Sequence, residues 1–284
     1  MKKLFFLSVL TFLTLTACKN DDDNPSPDGP GTIEIEFDNL AIVNGIQRQL
    51  NLKEIGSTDY NYQNSMGQDF NITFLRYFVS NIVLEGPNGE RFEDPQLVDV
   101  ASSSGYYLID EATPASQLVK LEDVPAGEYN KITFMVGVSE EGVKEGAAGG
   151  ALDPATNGMF WNWNAGYVAV KLEGQSSVSA GGAIGNTIEP ENEKGLVFHV
   201  GGWKDIEGTA FINNNQTLTY AFDVNAKIGA DEAPHIHMIM DVLQLFTGKN
   251  QIDFTGNNNV HKPTDGKAIA ENLSAAFAFD HLHQ

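Results

Sequence analysis

The stretch "VPAGEYNKITFMVGV", residues 124–138, decides the fold. Its Pro-Ala-Gly opening is typical of a turn, and from Ile132 to Val138 every second residue is apolar. Side chains two residues apart on a strand point to the same face. The stretch therefore predicts a β-strand with one buried face and one solvated face.

The same alternation recurs along most of the chain. Ile33, Ile35 and Phe37 alternate with acidic residues, and the stretch "QTLTYAFDV", residues 216–224, alternates apolar and polar side chains in the same way. Glycine, asparagine and proline turns separate these segments. Many short alternating strands within about 250 residues favour an all-β fold, and specifically an antiparallel β-sandwich.

One or two short helices, including a C-terminal helix, interrupt this pattern. In "LDPATNGM", residues 152–159, Asp153 is placed to cap a turn of helix and Pro154 to occupy its first position. In "TDGKAIAENLSAAFAF", residues 264–279, we expect Thr264 or Asp265 to cap a longer helix. Its apolar residues at a spacing of four, which would share one helix face, are Ile269, Leu273 and Phe277.

The N-terminus is a targeting segment rather than part of the fold. Residues 1–17 combine two lysines, a short apolar run and small final residues, which indicates a signal peptide. The sequence Leu-Thr-Ala-Cys, ending at Cys18, resembles the lipobox of bacterial lipoproteins, in which the cysteine is lipidated. The other interpretation is a plain secretory signal followed by a cysteine without a role.

We divide the mature chain into a tether and one domain. Residues 18–31 are rich in Asp, Pro and Gly and predict a flexible acidic tether; its acidic start is either a surface-export signal or a solvated linker. Residues 32–284 show neither an internal repeat nor a change in composition, so we expect a single domain. The expected location is the bacterial outer membrane, lipid-anchored and facing the periplasm or the cell surface.

Charge and missing motifs exclude several functions. Removal of residues 1–17 deletes two lysines and changes the formal charge from −21 to −23. Such a protein repels nucleic acid and anionic membrane surfaces and attracts cations, so the membrane contact has to come from the lipid. The chain carries no Gly-x-Ser-x-Gly, P-loop or His-Glu-x-x-His motif, and no cysteine besides Cys18. We expect that it is not an enzyme.

The histidines are the best candidate ligands. In "HIHMIMDV", residues 235–242, His235 and His237 would share one strand face, where two imidazoles can chelate copper or zinc. The other interpretation is a solvent face with two exposed histidines. His199, in "GLVFHVGGW", is either a third ligand or a histidine at the edge of the core. His281 and the neighbouring histidine at the chain end are expected to be a frayed tail.

The two neighbouring tryptophans also allow two interpretations. Trp161 and Trp163 would share a face if their segment is extended. They are then either core packing beneath a loop or a flat platform on which a glycan stacks. Composition does not select between these two.

Three segments together resemble one family. They are "ITFLRYFVSNIVL" (residues 72–84), "GMFWNWNAGYVAVKLEG" (158–174) and "FHVGG" (198–202), in this order on a lipidated secretory chain. This combination is similar to the MbnP-like copper-binding domain, a β-sandwich of periplasmic and surface proteins that includes many lipoproteins. The resemblance covers most of the chain after residue 32.

The resemblance implies a copper function. Members bind copper through histidines, and some use a tryptophan that a di-haem cytochrome c peroxidase-like partner oxidises to kynurenine. Carried over by motif, a family histidine falls on His199 and the oxidised tryptophan on Trp161 or Trp163, whereas His235 and His237 come from their spacing. The chain contains no Trp-x-His, the arrangement in which such a modified tryptophan can precede a ligand.

Two functional hypotheses follow. In the first, the protein is a lipid-anchored copper-binding protein with the metal ligands His199, His235 and His237 near the Trp-rich segment. In the second, it is a surface recognition module that binds a glycan or an envelope protein through the Trp-Asn-Trp face.

Overall fold

The computed structural model describes residues 29–144, 148–162, 165–181, 194–202 and 212–284. The predicted signal peptide, the lipidation site Cys18, nearly all of the tether and Trp163 lie outside the described residues. Within the described residues, no helix is long and apolar enough to cross a membrane.

Strands dominate the described chain, with a few short helical turns between them. The strands are β1 (Gly31–Val43), β2 (Ile46–Gln49), β3 (Tyr62–Gln63), β4 (Asp69–Glu85), β5 (Arg91–Glu93), β6 (Leu97–Val98), β7 (Ser103–Ser104), β8 (Tyr106–Asp110), β9 (Leu118–Val124), β10 (Gly127–Val136), β11 (Phe160–Asn162), β12 (Gly166–Ser176), β13 (Gly195–Gly201), β14 (Gln216–Ile228), β15 (His235–Asp241), β16 (Asn259–Val260) and β17 (Phe277–His283). The helices are α1 (Glu140–Lys144), α2 (Pro154–Asn157), α3 (Gln244–Thr247) and α4 (Lys267–Ala276), with 3₁₀ turns at Pro114–Gln117 and Gly150–Leu152.

Two large sheets form the predicted β-sandwich. The larger sheet has the strand order β14-β10-β4-β12-β13-β16, and short strands pair with β4 and β12. The smaller sheet has the order β17-β15-β1-β2, with β9 also paired to β1. Most pairs are antiparallel as predicted, but β15 runs parallel to β1, and β16 runs parallel to β13. β14 lies in the larger sheet and β15 in the smaller one, so the connection between them crosses from one sheet to the other and is not a hairpin. Because no hairpin fixes its direction, β15 can run parallel to β1.

The core lies where the alternating faces of the two sheets meet. Phe37 of β1 and Phe134 of β10 are both fully buried, and their rings meet edge to face at 5.3 Å. Because β1 and β10 belong to different sheets, this contact shows that the apolar faces read from the sequence point towards each other. Burial of such apolar surface is the main stabilising term of the sandwich.

The two predicted helices are present, and one of them differs in detail. The Asp153 side chain caps α2 by accepting a hydrogen bond from the Ala155 amide at 2.9 Å, as predicted. Helix α4, however, begins after Gly266 without a side-chain cap, so the expected cap at Thr264 or Asp265 is wrong.

The C-terminal segment is a strand and not a frayed tail. Helix α4 ends at Ala276, and Phe277 begins β17, which pairs antiparallel with β15. Phe277 is buried in the core, and its carbonyl oxygen accepts a hydrogen bond from the Tyr220 hydroxyl at 3.0 Å. Contacts of this kind, remote in sequence, fix the end of the chain against the sandwich.

Candidate metal centre

His235 and His237 lie on the outer face of the smaller sheet. Their strand, β15, runs between β1 and β17, and the residues that alternate with the histidines are fully buried in the core. These core residues are Ile236, Met238 and Met240. The division of β15 into a histidine face and a core face is therefore confirmed, and both methionines point away from the histidines.

A glutamate on the neighbouring strand completes a set of three possible ligands. In the register of the sheet, Glu36 of β1 is opposite His237. Its Oε2 atom lies 3.0 Å from His237 Nδ1 and 3.4 Å from His235 Nε2. The two imidazole rings stack with their centroids 4.4 Å apart. One ligand atom from each of the three residues lies within 4.8 Å of the others.

The C-terminal strand adds two more histidines to the same surface. In the pairing of β15 with β17, His237 is opposite His281 and His235 is opposite His283. The rings of His237 and His281 stack at 4.1 Å, and His281 Nε2 lies 3.0 Å from His283 Nε2. His237, His281 and His283 form a second set with ligand atoms within 4.8 Å of one another.

We call these five residues the His237 cluster. Its members are Glu36, His235, His237, His281 and His283. Only His235 and His237 were predicted as ligands from the sequence. The alternation of "FAFDHLH", residues 277–283, was the signal for a strand at the chain end, whereas nothing in the sequence separates Glu36 from the other carboxylates.

The surroundings favour the ligand form of His237. Burial lowers the pKa of this imidazole, and the charges of the neighbouring histidines lower it further, while Glu36 opposes them. At neutral pH the ring is therefore neutral and keeps a lone pair for a metal ion.

The His235 imidazole has an unsatisfied nitrogen. Its Nε2 atom is buried and makes no hydrogen bond within the described residues, although Glu36 is close. A buried polar atom of this kind is costly unless a ligand or an ordered water satisfies it. Imidazole and carboxylate donors suit a divalent transition-metal ion, so the residues present fit such an ion.

His199 belongs to a different environment. It lies on β13, and its Nε2 is 2.8 Å from Oε1 of the buried Glu173, which also lies 3.6 Å from the Lys171 ammonium. Burial lowers the pKa of His199, so a neutral ring donates to the carboxylate. The ring of His261 meets it edge to face at 4.5 Å.

The fold places His199 and the His237 cluster on opposite sides of the molecule. The neighbours of His199 on β13, such as Phe198, pack into the same core as Met238 of β15, but from the other sheet. Because both sets of histidines face away from this core, one ion cannot contact both. The structure thus brings His235 and His237 together and leaves His199 apart, which corrects the prediction of one site with all three.

Trp161 lies on the same side of the molecule as His199, which we call the His199 side. A Cβ atom at Gly202, near the end of β13, would be 3.1 Å from the Trp161 ring. Trp161 is partly buried and packs against a second apolar cluster that includes Phe78 and Tyr167. This is the core-packing interpretation of Trp161, and no indole among the described residues lies in the His237 cluster.

The fold and the cluster thus define an all-β sandwich with a histidine-rich surface. A comparison with family models matches residues 30–262 to MbnP, and the protein belongs to the MbnP family, as the resemblance predicted. Among solved structures, MbnP from Methylosinus trichosporium is similar, with 16% identity, a TM-score of 0.48 and coverage of 79% of each chain. A comparison with curated proteins found no match.

Proposed function

We propose that this protein is a lipid-anchored copper-binding protein of the bacterial envelope, which captures or stores copper and is not an enzyme. The observation that carries the proposal is the His237 cluster, where Glu36, His235 and His237 place ligand atoms within 4.8 Å of one another. These side chains project from paired strands, so the backbone that carries the ligands is already ordered before an ion binds.

The ligand types and the family together favour copper. Imidazole binds copper, zinc, iron and nickel, and copper(II) forms the most stable complexes of the divalent series. The chain belongs to the MbnP family, and the resemblance to this family implied a copper function. Zinc remains the competing ion that a test has to measure alongside copper.

The N-terminal sequence supports the location. The lipobox ending at Cys18 provides an anchor, and the acidic tether leads directly into β1 at Gly31. A formal charge near −23 keeps the domain away from anionic lipid surfaces. The bound ion would therefore be held at a distance from the outer membrane, within reach of partner proteins.

A modified tryptophan at Trp161 would be separate from the His237 cluster, because the two lie on different faces of the molecule. Trp161 lies on the His199 side, so kynurenine formed there by a di-haem peroxidase-like partner would not supply a ligand to the His237 cluster. Trp161 itself is partly buried and packs against the apolar cluster that includes Phe78 and Tyr167. Peptide mass spectrometry over residues 152–174 tests for the oxidation directly.

Elemental analysis tests the proposal. The full chain is produced with its signal peptide in a bacterial envelope supplied with copper and zinc, and then washed in high salt. We expect about one copper per chain, and loss of this copper in His237→Ala. Glu34→Gln is the matched control, because Glu34 lies two residues from Glu36 on β1 and outside both ligand sets.

Three results would contradict the proposal. Copper that washes away in salt would reflect only the acidic surface, because salt screens weak attraction between exposed charges. Copper retained in His237→Ala would place the site elsewhere. Zinc bound in preference to copper would make the metal assignment wrong.

A further inference from the structure

We propose that the His237 cluster offers two overlapping copper positions that share His237 and hold one ion at a time. The inner position consists of Glu36, His235 and His237, and the outer position of His237, His281 and His283. This inference rests on the proposed function and describes how the ion enters and stays.

The arrangement of three strands places His237 in the middle. Glu36 on β1 and His281 on β17 are its partners across the sheet on opposite sides. His235 and His281 both stack against its ring, at 4.4 and 4.1 Å. Each set of three has its ligand atoms within 4.8 Å, but the five residues do not form a single set by this measure.

The chemistry of imidazole makes the two positions exclude each other. A neutral ring carries a proton on one nitrogen and offers a lone pair on the other. The Nδ1 of His237 lies 3.0 Å from the Glu36 carboxylate. When Nδ1 carries the proton it donates to Glu36, and only Nε2 can bind an ion; when Nε2 carries the proton, only Nδ1 can.

Exposure gives the two positions different roles. The side chains of His235 and His237 are 27% and 21% exposed, whereas that of His281 is 44% exposed and His283 lies at the exposed end of β17. The outer position is therefore the first that a dissolved ion meets. The inner position has a carboxylate among its ligands and is better shielded from water, so it retains the ion. The Asp280 carboxylate, 2.7 Å from His281 Nδ1, lies beside the outer position but outside both ligand sets.

Three variants of the full chain separate these roles. His281→Ala/His283→Ala removes the outer position, Glu36→Gln/His235→Ala removes the inner one, and His237→Ala removes both. Copper(II) is added to metal-free protein, and we measure stoichiometry, affinity, the rate of uptake and the number of nitrogen donors in the electron paramagnetic resonance spectrum. Circular dichroism checks that each variant keeps the sheet, and Glu34→Gln is again the control.

We expect one pattern. The wild type binds about one copper. His281→Ala/His283→Ala keeps this affinity within about twofold but takes up copper several-fold more slowly, since the imidazoles that meet the ion first are gone. Glu36→Gln/His235→Ala binds more weakly by about tenfold or more, with a spectrum of three nitrogen donors. His237→Ala loses stoichiometric copper.

Other patterns overturn the inference in distinct ways. Two coppers in the wild type would show that the positions do not exclude each other. A loss of affinity in His281→Ala/His283→Ala as large as in His237→Ala would show a single site with all histidines as ligands. An unchanged rate of copper uptake in His281→Ala/His283→Ala would show that the outer position is not where the ion enters. In each of these three cases the proposed function stands. A wild type without copper overturns both.

Discussion

His199 illustrates how one residue type serves two purposes in the same chain. On β13 its neutral ring donates to Glu173, a carboxylate with almost no exposure, and the Lys171 ammonium lies 3.6 Å from the same carboxylate oxygen. A buried charge requires partners of this kind, because burial of an unpaired charge is expensive. The hydrogen bond of His199 to Glu173 is therefore sufficient to explain a histidine at this position.

We expect His199→Ala to change stability and not copper binding. The variant leaves Glu173 with one hydrogen bond fewer and should lower the free energy of unfolding by about 2 kcal/mol, the usual contribution of a hydrogen bond to a charged group. Copper stoichiometry should stay at the wild-type value, since the His237 cluster lies on the opposite face. Chemical denaturation and elemental analysis on the same preparation measure the two effects.

The comparison with His237→Ala gives this test its control. The His237 side chain is on the outer face, opposite to the core residues Ile236 and Met238, so its loss should remove copper with little change in the stability of the metal-free protein. If His199→Ala instead abolished copper binding and left stability unchanged, the division of the histidines into two sites would be wrong.

At the scale of elements, the C-terminal strand β17 joins the core to the His237 cluster. Its first residue, Phe277, is buried and meets Phe134 at 5.5 Å and Tyr77 at 5.6 Å, both edge to face. Its last residues are histidines of the outer position. The packing at one end of the strand thus holds the ligands at the other end in register with β15.

Phe277→Ala should therefore be strongly destabilising. Removal of a fully packed phenylalanine leaves a cavity and costs about 3–4 kcal/mol. Phe279→Ala is the matched control on the same strand; because Phe279 is only partly buried, its loss should cost less. Equal losses for both variants, measured by thermal or chemical unfolding, would show that Phe277 does not anchor the strand.

The strands also show which parts of the structure the sequence predicts. Period-two alternation is a local signal, and it correctly assigned the core and outer faces of β1, β10 and β15. The assignment of strands to sheets depends on contacts far apart in sequence. For this reason His199 and His235, each on a correctly read face, could not be placed on opposite sides of the molecule before the structure.

The remaining members of the His237 cluster were hidden for the same reason. His281 and His283 lie in a short segment whose alternation indicates a strand, but its pairing with β15, about 45 residues earlier in the chain, is not visible in the sequence. Glu36 is one of 38 acidic residues, and its position beside His237 follows from the parallel pairing of β1 with β15. Spacing within one strand reveals a pair of ligands, whereas a complete metal centre requires the neighbours across the sheet.

At the scale of the whole molecule, a polar network links the two sheets through the core. The Tyr77 hydroxyl of the larger sheet donates to Asn39 of the smaller sheet at 2.9 Å, and the Asn39 amide donates to Glu111 at 3.0 Å. Burial raises the pKa of Glu111 from 4.5 to about 7, and the charges of Asp38 and Asp110 also raise it, while the hydrogen bonds from Asn39 and Gln117 oppose the shift. This network therefore carries a proton near neutral pH.

The raised pKa couples the stability of the sandwich to pH. Between pH 4.5 and about 7 the folded protein holds a proton on Glu111 that the unfolded chain has lost. The contribution of this group to stability is therefore complete below pH 4.5 and is lost as the pH rises through about 7, with a slope of at most about 1.4 kcal/mol per pH unit. Partial exposure of the carboxyl group makes the actual slope smaller.

Glu111→Gln should remove this dependence, because glutamine still accepts the hydrogen bond from Asn39 and never ionises. Unfolding by urea at several values between pH 5 and 8 should show the variant gaining stability relative to the wild type as the pH rises. Self-repulsion of a chain with a charge near −23 also lowers stability at higher pH, but salt screens this repulsion and leaves the burial effect in place. The difference between variant and wild type should therefore persist in high salt; a difference that vanished there would mean that general repulsion, and not burial of Glu111, sets the pH dependence.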